Sequence, residues 1–316
     1  MKEMRLMENW DIIIIGAGSA GLSAGIYAVR SGLKTLILEE KLAGGTIADA
    51  SMVVNYPGFS EISGGDLAEK MTTHCKKIGA IIHDLEPATS LDLKGEKKVV
   101  TTSRTSYETR AVIFSVGSHY REIGVKGEPE FKGKGVSYCG VCDGPFFKGK
   151  HVIVVGGGNT ACITTVYLSG LASQVFVIHR RQAFRAEESL VADVSSKTNV
   201  KIMWNTEIQE IKGDKQVKSV SLIDNVTGQQ SELPVDAVFV QIGEAPNSQL
   251  AKAAGVETDE HGYIKVDVRQ QTNIPGVFAA GDVTDQPIKQ VGTAVGQGIT
   301  AALEAYSYIR QPYYRK

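Results

Sequence analysis

The same glycine-rich design occurs twice in this chain, 140 residues apart, and that repetition fixes most of what the chain can fold into. The first copy begins with the apolar run Ile12-Ile13-Ile14-Ile15. It continues through Gly16-Ala17-Gly18-Ser19-Ala20-Gly21 and a helical stretch to about Arg30, then a second apolar run ending at Glu39. The pattern predicts strand, tight turn, helix and strand in series. Gly16 permits the turn, Gly18 lets the backbone approach a pyrophosphate, and Gly21 allows the helix to pack closely. The helix amino terminus presents free N–H groups to the anion. An acid about twenty residues on, Glu39, stands where a ribose is held.

The second copy runs from Val152-Ile153-Val154-Val155 through Gly156-Gly157-Gly158-Asn159-Thr160-Ala161 to Gln174-Val175-Phe176-Val177-Ile178. Gly156 overlays Gly16 and Gly158 overlays Gly18, while Ala161 replaces the third glycine, a change the fingerprint tolerates. The informative position is the last. Where the first copy has Glu39, the second has His179, followed by Arg180, Arg181 and Arg185. A carboxylate there would repel a 2′-phosphate, whereas guanidinium groups grip phosphate through charge-assisted bonds. The second site is therefore expected to select NADP(H) over NAD(H).

A third signal lies near the end, in Gly276-Val277-Phe278-Ala279-Ala280-Gly281-Asp282, where a strand runs into glycine and then a carboxylate suited to accept from ligand hydroxyls. Its distance from the first fingerprint suggests one domain built from both ends of the chain, residues 1–120 with 248–316. Residues 121–247 then form an inserted domain with its own nucleotide site.

Between the two fingerprints lies Ser137-Tyr138-Cys139-Gly140-Val141-Cys142-Asp143-Gly144. Cysteines three positions apart can close a redox-active disulfide or supply half a metal site, and the acid that follows can move a proton. Zinc generally needs four ligands, and no second C-x-x-C or close histidine pair offers the other two, so no metal is expected. With only four cysteines in 316 residues a structural disulfide framework is not expected; Cys75 and Cys162 read as ordinary thiols. A formal net charge of -1 with no basic tract gives nucleic acid no footprint, and no apolar run reaches bilayer-spanning length. The stretch Met1 to Trp10 lacks the apolar core of a signal peptide, so a cytoplasmic location is the expectation.

From about residue 11 to 310 the chain resembles the low-molecular-weight thioredoxin reductases. The motifs that carry the resemblance are Gly16 to Gly21, Asn55-Tyr56-Pro57-Gly58, Cys139 to Gly144, Gly156 to Ala161, His179-Arg180-Arg181 with Arg185, and Gly281-Asp282 followed by Lys289-Gln290-Val291. The resemblance implies an α/β fold of two Rossmann-like, three-layer ββα domains, of the class II pyridine nucleotide-disulfide oxidoreductases. It implies FAD on the discontinuous domain, near Gly16, Gly18, Ser19, Ala20, Gly21, Glu39, Gly44, Gly45, Thr46, Asn55, Gly117, Gly281, Asp282, Gln290 and Val291. NADPH is implied on the inserted domain, near Gly156, Gly158, Asn159, Thr160, His179, Arg180, Arg181 and Arg185. It further implies that Cys142 faces the flavin, Cys139 attacks the disulfide of thioredoxin, Asp143 handles the proton, and the enzyme is a homodimer. One flavin must serve both the nicotinamide and the cysteine pair, so the inserted domain is expected to rotate about segments near Ser118 to Gly124 and Ile242 to Asn247.

The chain also departs from the family. Thr46 stands where the family commonly has Gln, Ser115-Val116-Gly117 replaces Ala-Thr-Gly, and Gly140-Val141 replaces the frequent Ala-Thr between the cysteines. In Ala161-Cys162-Ile163-Thr164, Ile163 takes the place of a glutamate near the nicotinamide. Two alternatives keep the cysteine pair. One is the same flavin-disulfide relay fed by reduced ferredoxin or a deazaflavin; the other is a flavin-dependent dithiol oxidase. The three arginines argue against both, and Ile163 weakly favours the oxidase.

Overall fold

Strand Glu8–Ile15 shows why the first copy folds as it does. Ile12, Ile13, Ile14 and Ile15 are all buried, with Ile12 and Ile14 in one hydrophobic cluster and Ile13 and Ile15 in another. Alternate residues point to opposite faces of a strand, so a strand covered on both faces has no polar position. The structure is a computed structural model describing residues 8–50 and 52–310; the amino-terminal stretch read for a leader lies, up to residue 7, outside the described residues.

The chain divides into two compact units, one comprising Met1–His119 with Ala245–Lys316 and the other Tyr120–Glu244. In the first, strands Ile81–His83, Thr35–Leu38, Glu8–Ile15 and Ser106–Phe114 lie side by side in parallel. Beyond Ser106–Phe114 the sheet splits. The first half of that strand pairs antiparallel with Lys98–Thr102, in register Lys98 to Thr109, and the second half pairs parallel with Val277–Ala279, in register Val277 to Val112. Antiparallel Ala88–Asp92 continues the first branch. Helices Ser19–Arg30 and Val291–Arg310 contribute to the Ile12/Ile14 cluster. They can approach closely because Gly298 lies against the backbone of Ala20, where a Cβ would collide with the carbonyl.

The second unit repeats the plan. Its parallel sheet runs in the order Val200–Trp204, Gln174–His179, His151–Val155, Ala237–Val240, Val136–Ser137. Val152 and Val154 join the cluster containing Ala161 and Leu168 of helix Asn159–Ser169, whereas Ile153 and Val155 join the cluster beneath a three-stranded antiparallel sheet, Thr206–Gly213, Val217–Asp224 and Gln230–Pro234. The division of faces thus matches the first copy residue by residue. The connecting strands Ser118–Tyr120 and Glu244–Pro246 pair with each other.

Both turns also sit against an equivalent strand end. Gly16 donates to the Leu38 carbonyl at 2.8 Å and Gly156 to the Ile178 carbonyl at 3.1 Å. A Cβ on Gly16 would strike the Ser115 carbonyl, and one on Gly156 the Gln241 carbonyl, and both glycines have positive φ (102° and 148°). At Gly21 a Cβ would strike the Gly16 carbonyl oxygen. Gly21→Ala is therefore expected to lower stability by about 1–3 kcal/mol through overpacking, read as a fall in the thermal unfolding midpoint, and an unchanged midpoint would contradict this packing.

Candidate functional site

The first turn is bare backbone by construction. Gly18 precedes helix Ser19–Arg30 in extended conformation, with no side chain capping the helix amino terminus. Gly45 lies across from it, so that a Cβ on Gly45 would come 2.7 Å from the Gly18 Cα. Gly44 donates to the Ala17 carbonyl at 2.8 Å, which holds the Gly44-Gly45 loop onto the turn. Glu39, at the end of strand Thr35–Leu38, accepts from the Ala17 N–H at 2.6 Å and the Lys41 N–H at 2.9 Å, which fixes its carboxylate beside the glycines. Gly281 N–H donates to Gln297 at 2.7 Å and packs near Ala20, bringing the Gly281-Asp282 corner to the same helix. Asn55 donates to Gln290 at 3.2 Å, immediately before Val291 opens helix Val291–Arg310. Thr46 opens the short 3-10 helix Thr46–Asp49, and Gly117, at φ 64°, follows strand Ser106–Phe114. A glycine-lined cradle at an uncapped helix amino terminus, with a fixed carboxylate alongside, fits the pyrophosphate and ribose of a dinucleotide such as FAD.

The second turn has the same geometry with different chemistry. Gly158 precedes helix Asn159–Ser169 without a side-chain cap, and Thr160 is exposed on its first turn. Asn159 and Glu187 are joined by two hydrogen bonds, at 2.9 and 3.0 Å, which tie the turn to the loop following the second strand. The same loop is fixed again by Arg185 N–H donating to the Gly157 carbonyl at 2.7 Å. His179 is buried directly under Gly157, with Nε2 3.0 Å from the Ala183 carbonyl oxygen. Burial holds its pKa below the ordinary 6.5, the Ala183 carbonyl opposes this, and the neighbouring arginines add to the lowering. Arg180, Arg181 and Arg185 are exposed around this buried ring. The cradle fits a nicotinamide dinucleotide, with exposed guanidinium groups on the loop that follows the second strand.

Cys139 and Cys142 form a disulfide with Cα atoms 5.3 Å apart, on the unit that carries the second turn. Cys142 N–H donates to the Cys139 Sγ at 3.2 Å. The pair packs on helix Asn159–Ser169: a Cβ on Gly140 would clash with the Thr164 side chain at 2.5 Å, and one on Gly144 would lie 2.7 Å from Leu168. Thr164 in turn donates to Gln241 at 3.3 Å. Asp143 is partly buried beside Ser137, and burial raises its carboxyl pKa above the ordinary 3.8 while the Ser137 hydrogen bond opposes the rise. Among the described residues no group of three or more His, Cys, Asp or Glu side chains could hold a metal ion.

The structure places Glu39, Gly44, Gly45 and Gly281 against the first turn or its helix, and His179 and the Arg185 backbone against the second, while Asn55 is joined to Gln290. Sequence reasoning did not find Gln241, Gln297 or Glu187, which hold the turns rather than line them. Gln241 is the counterpart of Ser115, but the two are separated by a spacing different from that of the fingerprints, so the shift that aligned the glycines passes over them. Their signal is the apolar strand that each one terminates.

A model of the pyridine nucleotide-disulphide oxidoreductases matches residues 10–298, and the chain belongs to that family. Within it the chain groups with the thioredoxin reductases. Thioredoxin reductase of Bacillus subtilis (strain 168) is 43% identical over 303 residues, covering 96% of this chain and 95% of that one. The structure of thioredoxin reductase from Streptococcus pyogenes MGAS5005 superposes with a TM-score of 0.93 at 36% identity, covering 97% of this chain and 100% of that one. A ferredoxin-flavin thioredoxin reductase from Clostridium acetobutylicum gives a TM-score of 0.53 at 33% identity, covering 97% and 100%.

The raised pKa of Asp143 has a thermodynamic consequence. A carboxyl whose folded pKa exceeds its unfolded value costs no stability below the unfolded value, and the cost grows as pH rises through the folded value. Asp143→Asn removes that cost. The urea midpoint of the variant, relative to the original, should therefore rise between strongly acidic and neutral pH, and a pH-independent difference would contradict the assignment.

Proposed function

We propose that this protein is an NADPH-dependent thioredoxin-disulfide reductase in which FAD connects the nicotinamide to the Cys139–Cys142 disulfide. The observation that carries the reading is the position of that disulfide. It packs, through Gly140 and Gly144, on the helix whose amino terminus forms the second nucleotide turn. Bound FAD would supply the two-electron step between a nicotinamide hydride and a disulfide.

The chain's own residues supply the rest. Gly16, Gly18, Gly45 and Glu39 hold the flavin dinucleotide on the first unit, while Gly156, Gly158, Asn159 and the arginines hold NADPH on the second. Two electrons and two protons open the Cys139–Cys142 bond to a dithiol, with Cys142 taking the flavin-facing role. Asp143, kept protonated to higher pH by burial, is the nearby group suited to deliver or recover a proton. Cys139 as thiolate then attacks the thioredoxin disulfide and displaces one of its sulfurs. Cys142 attacks the resulting mixed disulfide, which restores the Cys139–Cys142 bond and releases thioredoxin as a dithiol. The protein is proposed to work as a homodimer in the cytoplasm; among the described residues no helix is long and apolar enough to cross a membrane.

NADPH as donor is supported by Arg180, Arg181 and Arg185 surrounding a strand end that has no acid. A second reading, with reduced ferredoxin as donor, is supported by the likeness to the ferredoxin-flavin thioredoxin reductase. Ile163, 53% exposed where the family offers a carboxylate, counts against NADPH under it as under the oxidase. Anaerobic mixing of the flavin-loaded protein with NADPH or NADH separates the two. Rapid flavin bleaching by NADPH alone is the expected result, and no bleaching by either nucleotide overturns the NADPH assignment. Cys139→Ser should leave bleaching intact and abolish thioredoxin turnover; retained turnover would remove Cys139 from its role.

A further inference from the structure

Glu128 is fully buried, yet it lies outside both nucleotide turns and the redox pair. A buried carboxylate is costly unless its oxygens are matched by donors. Here three donors converge on it: the backbone N–H of Ile123 at 3.0 Å, the backbone N–H of Gly124 at 2.7 Å, and the hydroxyl of Tyr138 at 3.0 Å. The two amides belong to the segment by which the chain enters the second unit, and the hydroxyl belongs to the residue immediately before Cys139.

Tyr138 is held at two further points. Its ring stacks on Tyr120 of the same entering segment, with centroids 5.3 Å apart and planes 13° from parallel. Its carbonyl accepts from the Gln241 side chain at 2.9 Å, and Gln241 directly precedes Ile242 and Gly243, where the chain leaves the unit. Entering and leaving segments are themselves joined, Arg121 N–H donating to the Gly243 carbonyl at 3.0 Å. Burial, and then the bond to Glu128, raise the phenol pKa, so the hydroxyl remains a donor.

We propose that Glu128, Tyr138 and Gln241 form a brace that fixes the backbone at Cys139 to the two connecting segments, and that Glu128 and Tyr138 are positioning residues for the thiol-disulfide step. The inference rests on the function proposed above. A brace of this kind acts on how well the two sulfurs are pre-arranged to close on one another, so its loss weakens the disulfide relative to the dithiol. Tyr138→Phe keeps the ring stack and removes one donor. Glu128→Gln replaces an acceptor oxygen with an amide nitrogen that faces a backbone donor.

The test equilibrates the flavin-loaded full chain with dithiothreitol and its cyclic disulfide, so that the reagent is oxidised as Cys139–Cys142 is reduced, and measures free thiol by alkylation and mass spectrometry. Tyr138→Phe should shift this equilibrium toward the protein dithiol by about tenfold and lower kcat/KM for thioredoxin by a similar factor. Flavin bleaching by NADPH should be unchanged, and the thermal midpoint should fall more in the oxidised form than in the dithiol form. Glu128→Gln should act in the same direction. An unshifted equilibrium in Tyr138→Phe overturns the proposal, as does a thermal midpoint that falls equally in the oxidised and dithiol forms together with bleaching and turnover, which marks a merely structural role. The dithiothreitol measurement needs neither NADPH nor thioredoxin. A shifted equilibrium in a protein whose original form is not reduced by NADPH would leave the brace standing and overturn the NADPH assignment.

Discussion

The close seating of each glycine turn on the neighbouring strand end is the contact on which both units depend. In the first unit Ser115 N–H donates to the Ile15 carbonyl at 2.8 Å, and the Ser115 hydroxyl donates to the carbonyls of Ile15 and Gly16 at 3.0 and 2.8 Å. In the second unit Gln241 N–H donates to the Val155 carbonyl at 2.7 Å. Only a residue without a Cβ fits between the two strand ends, and this contact sets the direction in which the following helix leaves. The helix amino terminus, the acid or histidine at the next strand end, and the ligand cradle all take their positions from it.

Much of this architecture was legible in the sequence because the constraint is local. A strand, a glycine turn and a helix within ten residues leave few alternatives, and the repeat supplied its own control. Other features were not legible. The split of strand Ser106–Phe114 between an antiparallel and a parallel neighbour depends on pairing with Val277–Ala279, far along the chain. The assignment of Ile12 and Ile14 to one face and Ile13 and Ile15 to the other leaves no trace in an unbroken apolar run. Glu128, in Lys126-Gly127-Glu128-Pro129-Glu130, reads as one more charge in a polar loop. Its burial follows from the chain folding its own amides onto the carboxylate.

The redox pair illustrates how one helix can serve two sites. Helix Asn159–Ser169 presents its amino terminus to the second turn, while Thr164 and Leu168 receive the backbone of Gly140 and Gly144. Larger residues at either glycine would push the Cys139-to-Asp143 segment off the helix. Cys162, on the same helix, is buried and its thiol pKa is raised by that burial, which keeps it un-ionised and apart from the exchange chemistry of its neighbours.

The comparison of Glu39 with His179 carries the argument about the donor furthest. Glu39 directly follows the second strand of its copy and His179 ends that of the other, and both lie under the residue after the first glycine, Ala17 in one case and Gly157 in the other. Glu39 turns its carboxylate to an N–H, which suits a site for ribose hydroxyls. His179 turns its ring inward, bonds the Ala183 carbonyl and is disfavoured from carrying charge by burial and by the arginines. On the proposed reading, replacing the acid does two things: it removes the negative charge that would repel a 2′-phosphate, and it supplies a neutral ring on which the loop bearing Arg180, Arg181 and Arg185 can be built. The positive charge is then left to exposed guanidinium groups, which reach solvent and ligand without the desolvation that a buried imidazolium would incur.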